Sequence, residues 1–118
     1  MIYGIGIDIS EIQRVEQMKE KHANFISKTL TAAEHQQYLT RSAHKQAEYL
    51  AGRFSVKESF SKALGTGIGA AVGFQDLEVL DDESGKPTIK QSIFDGPVHV
   101  SISHTDSVVI SEVILEEG

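Results

Sequence analysis

Phe54-Ser55-Val56-Lys57-Glu58-Ser59-Phe60-Ser61-Lys62-Ala63-Leu64-Gly65 is the stretch that decides how this chain must fold. It closes a segment, Lys45 to Leu64, that has no proline, one glycine and many good helix formers, so a long helix is predicted there. At 3.6 residues per turn, Ala47, Leu50, Ala51 and Phe54 share one apolar stripe. Glu58 is the next residue on that stripe, and Lys62 follows one turn later. Tyr49, Val56, Phe60 and Ala63 form a second apolar strip on roughly the opposite side. A helix apolar on two sides is largely buried, which puts Glu58 in or beside a core. A carboxylate there needs a partner: lysine, arginine or a metal cation.

The rest of the chain bounds what that partner can serve. With 118 residues, a single domain spanning 1–118 is expected. The absence of cysteine removes disulfides, thiolate metal sites and cysteine catalysis together. A formal net charge of −6 argues against general attraction to nucleic acid. No stretch approaches a membrane span, and the start Met-Ile-Tyr-Gly-Ile-Gly-Ile-Asp lacks the basic flank of a signal peptide, so the cytoplasm is the expected compartment. Positive charge is nevertheless uneven. Arg14, Lys19, Lys21 and Lys28 fall early, and Arg41, Lys45 and Arg53 lie near the long helix, while the acidic excess falls in Asp76 to Glu83 and in Glu116-Glu117. An anionic ligand could meet a local basic patch.

Around the long helix the pattern is a strand, three helices in all, and then strands. Ile2 to Ile9 alternates, with Tyr3, Ile5, Ile7 and Ile9 on one side and Ile2, Gly4, Gly6 and Asp8 on the other. The two glycines beside Asp8 leave space for close backbone packing or for a ligand. Ser10-Glu11-Ile12-Gln13 has the form of a capping box opening a helix to about Lys19, and Thr31-Ala32-Ala33-Glu34 has the same form for a helix to about Thr40. Gly65-Thr66-Gly67-Ile68-Gly69 stops the long helix. Phe74–Leu80 and Pro87–Ile93 are predicted strands joined by Asp82-Glu83-Ser84-Gly85, and Val98–Ser103 and Val108–Leu115 form a closing hairpin over Thr105-Asp106-Ser107. The class is α+β, a mostly antiparallel sheet with helices on one side.

Asp8 and Glu58 are carboxylates from distant elements with no sulfur and no helical histidine pair nearby. Such a pair suits a hard cation with oxygen ligands, and Mg²⁺ commonly takes one or two carboxylates and fills its shell with water and phosphate oxygens. A plainer alternative has Asp8 capping the following helix and Glu58 paired with Lys62 as an ordinary i,i+4 device. The glycine-rich loop after the long helix lacks the Gly-Lys-Ser/Thr of a P-loop and follows a helix instead of a strand, so it is foremost a helix stop. A Ser/His/Asp triad can be drawn near His104, but there is no Gly-x-Ser-x-Gly elbow, and a turn histidine with a structural hydrogen bond is the expectation. A nucleotide-binding module and an oligomerisation scaffold with a buried Glu58–Lys62 pair also fit the residues alone.

Taken together, four stretches resemble one family. They are Gly4-Ile5-Gly6-Ile7-Asp8-Ile9, the run Ala51-Gly52-Arg53 through Gly65-Thr66-Gly67, Gly85-Lys86-Pro87, and Val98-His99-Val100-Ser101-Ile102-Ser103-His104. In this order they resemble the holo-[acyl-carrier-protein] synthases, the small bacterial 4′-phosphopantetheinyl transferases. The region from Lys19 to Gln46 matches mainly by its helical pattern. The resemblance implies transfer of phosphopantetheine from coenzyme A to a serine of apo-acyl carrier protein, releasing adenosine 3′,5′-bisphosphate, within fatty acid biosynthesis.

By the same resemblance, Asp8 and Glu58 would hold Mg²⁺ against the pyrophosphate of coenzyme A, and Lys62 would meet the same phosphates. Glu58, through a water on the ion, is the implied base. Gly65, Thr66 and Gly67 would line the cofactor, with Arg53, His104 and Thr105 toward its 3′-phosphate or adenine end. The family is also homotrimeric with active sites between subunits, and Arg14 and Met18 on the first helix would contact the acidic carrier protein.

Overall fold

The doubly apolar segment forms a helix from Ala43 to Leu64, opened by Ser42 in an extended conformation and closed by Gly65 at φ +90°, a left-handed value glycine adopts without a Cβ penalty. The structure is a computed structural model describing residues 1–118. In chain order its elements are β1 (Ile2–Glu11), α1 (Ile12–Lys21), α2 (Phe25–Thr29), α3 (Ala32–Leu39), α4 (Ala43–Leu64), β2 (Glu78–Asp81), β3 (Pro87–Lys90), β4 (Val98–His104) and β5 (Val108–Glu116). β1, β5 and β4 make an antiparallel sheet in that order, and β2 and β3 make a separate antiparallel ribbon.

The two apolar strips of α4 feed two cores, except that Tyr49 of the second strip joins the core of the first. Val56, Phe60 and Ala63 pack with Val72, Leu77, Val79, Val113 and Leu115. Tyr49, Leu50 and Ala51 pack with Val15, Leu30, Tyr38 and Val109. The stripe that carries Glu58 rises out of the second core along the helix: Leu50 and Ala51 are buried, Phe54 and Glu58 half-buried, and Lys62 exposed.

β1 lies on α4 with almost nothing between them. A Cβ added at Gly4 would collide with the Ala63 carbonyl oxygen, and one added at Gly6 with that of Ser59. The glycines therefore serve close backbone packing, the first of the two uses expected for them. The opposite face of β1 is left bare, with Ile5, Ile7 and Ile9 at 56%, 58% and 66% exposure.

Burial of charge is resolved by one pair the sequence reading overlooked. Lys57 and Glu34 are both fully buried, with Lys57 Nζ 2.6 Å from Glu34 Oε1. Lys57 also donates to the carbonyls of Thr29 at 2.7 Å and Phe74 at 3.0 Å. Glu34 accepts from the amides of Thr31 at 2.8 Å and Val79 at 2.6 Å. Four stretches of chain thus converge on one charge pair. Burial pulls the Lys57 ammonium down from its usual range, and Glu34 opposes that shift.

Several expectations need correction. The Thr31–Glu34 capping box forms, but Ser10–Gln13 does not cap: α1 begins after Glu11 with no side-chain cap, because β1 stays paired with β5 as far as Glu11 opposite Val108. The first amide of α1, Ile12, instead donates to the Ser107 carbonyl at 2.9 Å. A short helix, α2, makes four helices instead of three. Phe74–Asp76 is a 3-10 turn and not strand, because Gln75 donates to the Ser27 and Leu30 carbonyls and Asp76 accepts from Gly73 N. β3 stops at Lys90 because Gln91 Oε1 takes the amides of Ile93 and Phe94 at 2.8 Å.

Two substitutions test this packing by denaturant unfolding. Gly6→Ala is expected to destabilise by at least about 1–3 kcal/mol, since backbone must move to admit the methyl. Lys57→Ala is expected to cost about 3–5 kcal/mol by stranding Glu34 without a partner. Near-wild-type stability in either variant contradicts the contact concerned.

Candidate active site

The close approach of β1 to α4 brings Asp8 to the side of the helix that carries Glu58 and Lys62. Lys62 Nζ lies 3.3 Å from Asp8 Oδ1 and donates to the Ile7 carbonyl at 3.1 Å. The Ser10 hydroxyl donates to Asp8 Oδ2 at 2.7 Å. Glu58 has no ion-pair partner within 4.0 Å, so the i,i+4 pair with Lys62 does not form; Lys62 reaches across to the strand instead. The other half of the plain alternative fails as well, because Asp8 caps no helix. Burial first, and then the Asp8 charge, hold the Glu58 carboxyl above the usual carboxylate range, against the pull of Lys62.

Asp8 and Glu58 open onto a cleft of about 450 Å³ whose walls include Ser10, Arg14, Met18 and Phe54. The two candidate docking residues thus share a cleft with the two candidate metal ligands. No cluster of three or more His, Cys, Asp or Glu is placed to hold a metal. A cation here would take two protein carboxylates and complete its shell from solvent or substrate, which is the habit of Mg²⁺.

The remaining candidates divide between two places. Gly65, Thr66 and Gly67 follow Lys62, and their amides all donate to the Ser61 carbonyl at 3.0–3.2 Å, so the loop offers its shape and the neighbouring ammonium more than free N–H groups. Arg53 lies on α4, 12 residues before Gly65 and about 18 Å along the axis. It is buried, donates to the Val79 carbonyl at 2.9 Å, pairs with Asp81 at 2.7 Å and lies 3.9 Å over the Tyr49 ring. His104 Nε2 lies 2.8 Å from Glu48 Oε1, the kind of structural bond expected for it. Thr105 Oγ1 accepts from the amides of Ser107 and Val108 at 3.2 Å. Arg53 and His104 line a separate cleft of about 360 Å³ with Arg41, Lys45 and Glu48.

One chain therefore joins Asp8, Glu58, Lys62, Arg14 and Met18, and keeps Arg53 and His104 apart from them. Sequence reading missed Ser10 as a partner of Asp8, because its capping-box spacing pointed elsewhere. It also missed Arg41, Lys45 and Glu48 as neighbours of Arg53. The clustering of Arg41, Lys45 and Arg53 in sequence was the available signal for the two basic residues.

Comparison with known proteins identifies the family. Residues 4–114 match the model of the 4′-phosphopantetheinyl transferase superfamily. The chain is 55% identical to the holo-[acyl-carrier-protein] synthase of Latilactobacillus sakei over 118 residues, covering 100% of both chains. It is 52% identical to that of Limosilactobacillus fermentum, covering 100% of this chain and 99% of the relative. Among solved structures it resembles a Bacillus anthracis holo-(acyl-carrier-protein) synthase in complex with CoA (3′,5′-ADP), with a TM-score of 0.93, 43% identity and coverage of 100% and 99%. The chain belongs to the 4′-phosphopantetheinyl transferase superfamily, and within it to the holo-[acyl-carrier-protein] synthases.

The raised pKa of Glu58 makes the stability of the fold depend on pH with a definite sign. Between the ordinary value of 4.5 and the higher folded value, the folded protein binds more protons than the unfolded chain. Stability falls as pH rises through that window, and the deficit is complete above the folded value. Glu58→Gln is therefore expected to raise the melting temperature of the metal-free protein near pH 7 and to leave it unchanged near pH 4. An equal change at both pH values contradicts the partly buried placement of Glu58 facing Asp8.

Proposed function

We propose that the protein transfers the 4′-phosphopantetheine group of coenzyme A to a serine hydroxyl of an apo-acyl carrier protein, in a Mg²⁺-dependent reaction that releases adenosine 3′,5′-bisphosphate. The observation that carries this reading is that Asp8 and Glu58, 50 positions apart, line one cleft with Arg14 and Met18. The donor set fits Mg²⁺: both ligands are carboxylates, and Glu58 is a partly desolvated carboxylate that faces the Asp8 charge, a placement that a cation relieves. Bound there, Mg²⁺ would neutralise charge on the pyrophosphate and orient it for in-line displacement.

The chain's own residues supply the rest. The carrier serine oxygen attacks the phosphorus that bears pantetheine, and the bond from that phosphorus to the bridging oxygen breaks. Lys62, half-exposed and tethered only to Asp8 and the Ile7 carbonyl, is free to turn toward the phosphates and offset the charge of the leaving bisphosphate. Glu58 takes the serine proton through a water. Arg14 and Met18 receive the acidic carrier at the mouth of the cleft, Arg14 by charge and Met18 by apolar contact.

The separation of the Arg53–His104 cleft from the Asp8–Glu58 cleft supports an oligomer with active sites between subunits, as does the bare apolar face of β1. β1 is an edge strand, and Ile5, Ile7 and Ile9 on it, with Ile110 on β5, would leave an apolar patch in water were the chain alone. A homotrimer would cover them and join Lys62 and Gly65–Gly67 of one subunit to Arg53, His104 and Thr105 of the next. The cytoplasm is the compartment this reading implies, and no helix is long and apolar enough to cross a membrane.

Two experiments test the reading. Incubation with coenzyme A, Mg²⁺ and an apo carrier protein should add the phosphopantetheine mass to the carrier. Asp8→Asn and Glu58→Gln should each lower turnover at least about 100-fold while the fold is kept. Near-normal turnover in either variant rules out the two-carboxylate site. Separately, Glu58→Gln and His104→Ala proteins, each impaired, should recover activity when mixed and allowed to exchange subunits, to about a quarter of sites by random pairing. No recovery after demonstrated exchange would confine the site to one chain.

A further inference from the structure

The hydroxyl of Ser10 has a place in this site that its capping-box spacing conceals. Ser10 stands two residues beyond Asp8 on β1, so both side chains project from the same face of the strand, toward α4. It is only 8% exposed, and a hydroxyl so buried must find a partner. Its Oγ donates to Asp8 Oδ2 at 2.7 Å, the short distance of a charge-assisted bond, and it takes no part in capping α1. Asp8 is thus held at both oxygens, but by unequal partners. Lys62 touches Oδ1 at 3.3 Å from a side chain 51% exposed at the end of a flexible stem. Ser10 has one rotatable bond to its hydroxyl and sits on a strand whose backbone is locked between β5 and α4.

We propose that Ser10 is a positioning residue for the transfer: its hydroxyl fixes the Asp8 carboxylate through Oδ2 and so leaves Oδ1 presented to the cation when Lys62 turns to phosphate. This rests on the reading of Asp8 as a cation ligand. Without Ser10, Asp8 would lose its fixed contact just when its mobile one departs, and the ligand would have to be ordered at the expense of binding.

The test uses the whole protein and Mn²⁺ as the probe, titrated with coenzyme A present and a protein-free blank, and read from the EPR signal of the free ion. Ser10→Thr and Ser10→Val have the same shape and differ only in the hydroxyl. The valine variant is expected to bind Mn²⁺ about tenfold more weakly than the threonine variant, with Ser10→Ala matching valine and threonine close to wild type. The KM for carrier protein should stay unchanged across the set. Equal Mn²⁺ affinity in the threonine and valine variants overturns the role of Ser10. Asp8→Asn measured alongside separates the two claims: if it binds Mn²⁺ as tightly as wild type, the ligand assignment of Asp8 fails and the role of Ser10 with it.

Discussion

The contact on which the site depends is backbone against backbone: β1 lies directly on α4 because Gly4 and Gly6 put no side chain between them. Any Cβ at those positions would hold the strand off the helix. Asp8 is the next residue on the same face of β1, so that closeness is passed on to its carboxylate. It reaches Lys62, and its charge adds to burial in raising the pKa of Glu58. The strand then continues to Ser10, whose hydroxyl closes the arrangement from behind. Two glycines with no chemistry of their own thereby set the spacing of the groups that have it.

The charges on α4 show which of them are structural. Lys57 is buried and answered by Glu34 together with two carbonyls. Arg53 is buried and answered by Asp81, the Val79 carbonyl and the Tyr49 ring. Lys62 is answered by Asp8 while remaining half in solvent. Glu58 alone is partly desolvated, faces a like charge and has no ion-pair partner within 4.0 Å. A folded protein tolerates such a group where something else completes it, and the chemistry of the surrounding donors points to a hard cation.

Much of this was legible in the sequence where the signal was local. The doubled apolar periodicity of Ala47 to Ala63 dictated a buried helix, Gly65 its end, and Thr31-Ala32-Ala33-Glu34 a capping box that forms as written. The alternation in β1 separated the Asp8 face from the isoleucine face. What failed was decided by distant partners. Ser10 has the spacing of a cap, but pairing with β5 keeps it in the strand and leaves its hydroxyl for Asp8. Phe74-Gln75-Asp76 has strand-like composition, but its polar groups serve α2, the residue that ends it, Leu30, and Lys57. The Lys57–Glu34 pair was invisible because neither residue breaks a local pattern, and only tertiary packing makes them meet.

The candidate site shows the same division. Periodicity found Glu58 as a misplaced charge, and the glycine-cleared face found Asp8, but only the fold joins them in one cleft with Arg14 and Met18. The most direct test of this account is a crystal structure of the protein with coenzyme A and Mg²⁺ bound. The account predicts a cation between the carboxylates of Asp8 and Glu58, with Lys62 turned from Asp8 onto the phosphates. A cation bound elsewhere, with Asp8 still paired to Lys62 and Glu58 facing solvent, would contradict it.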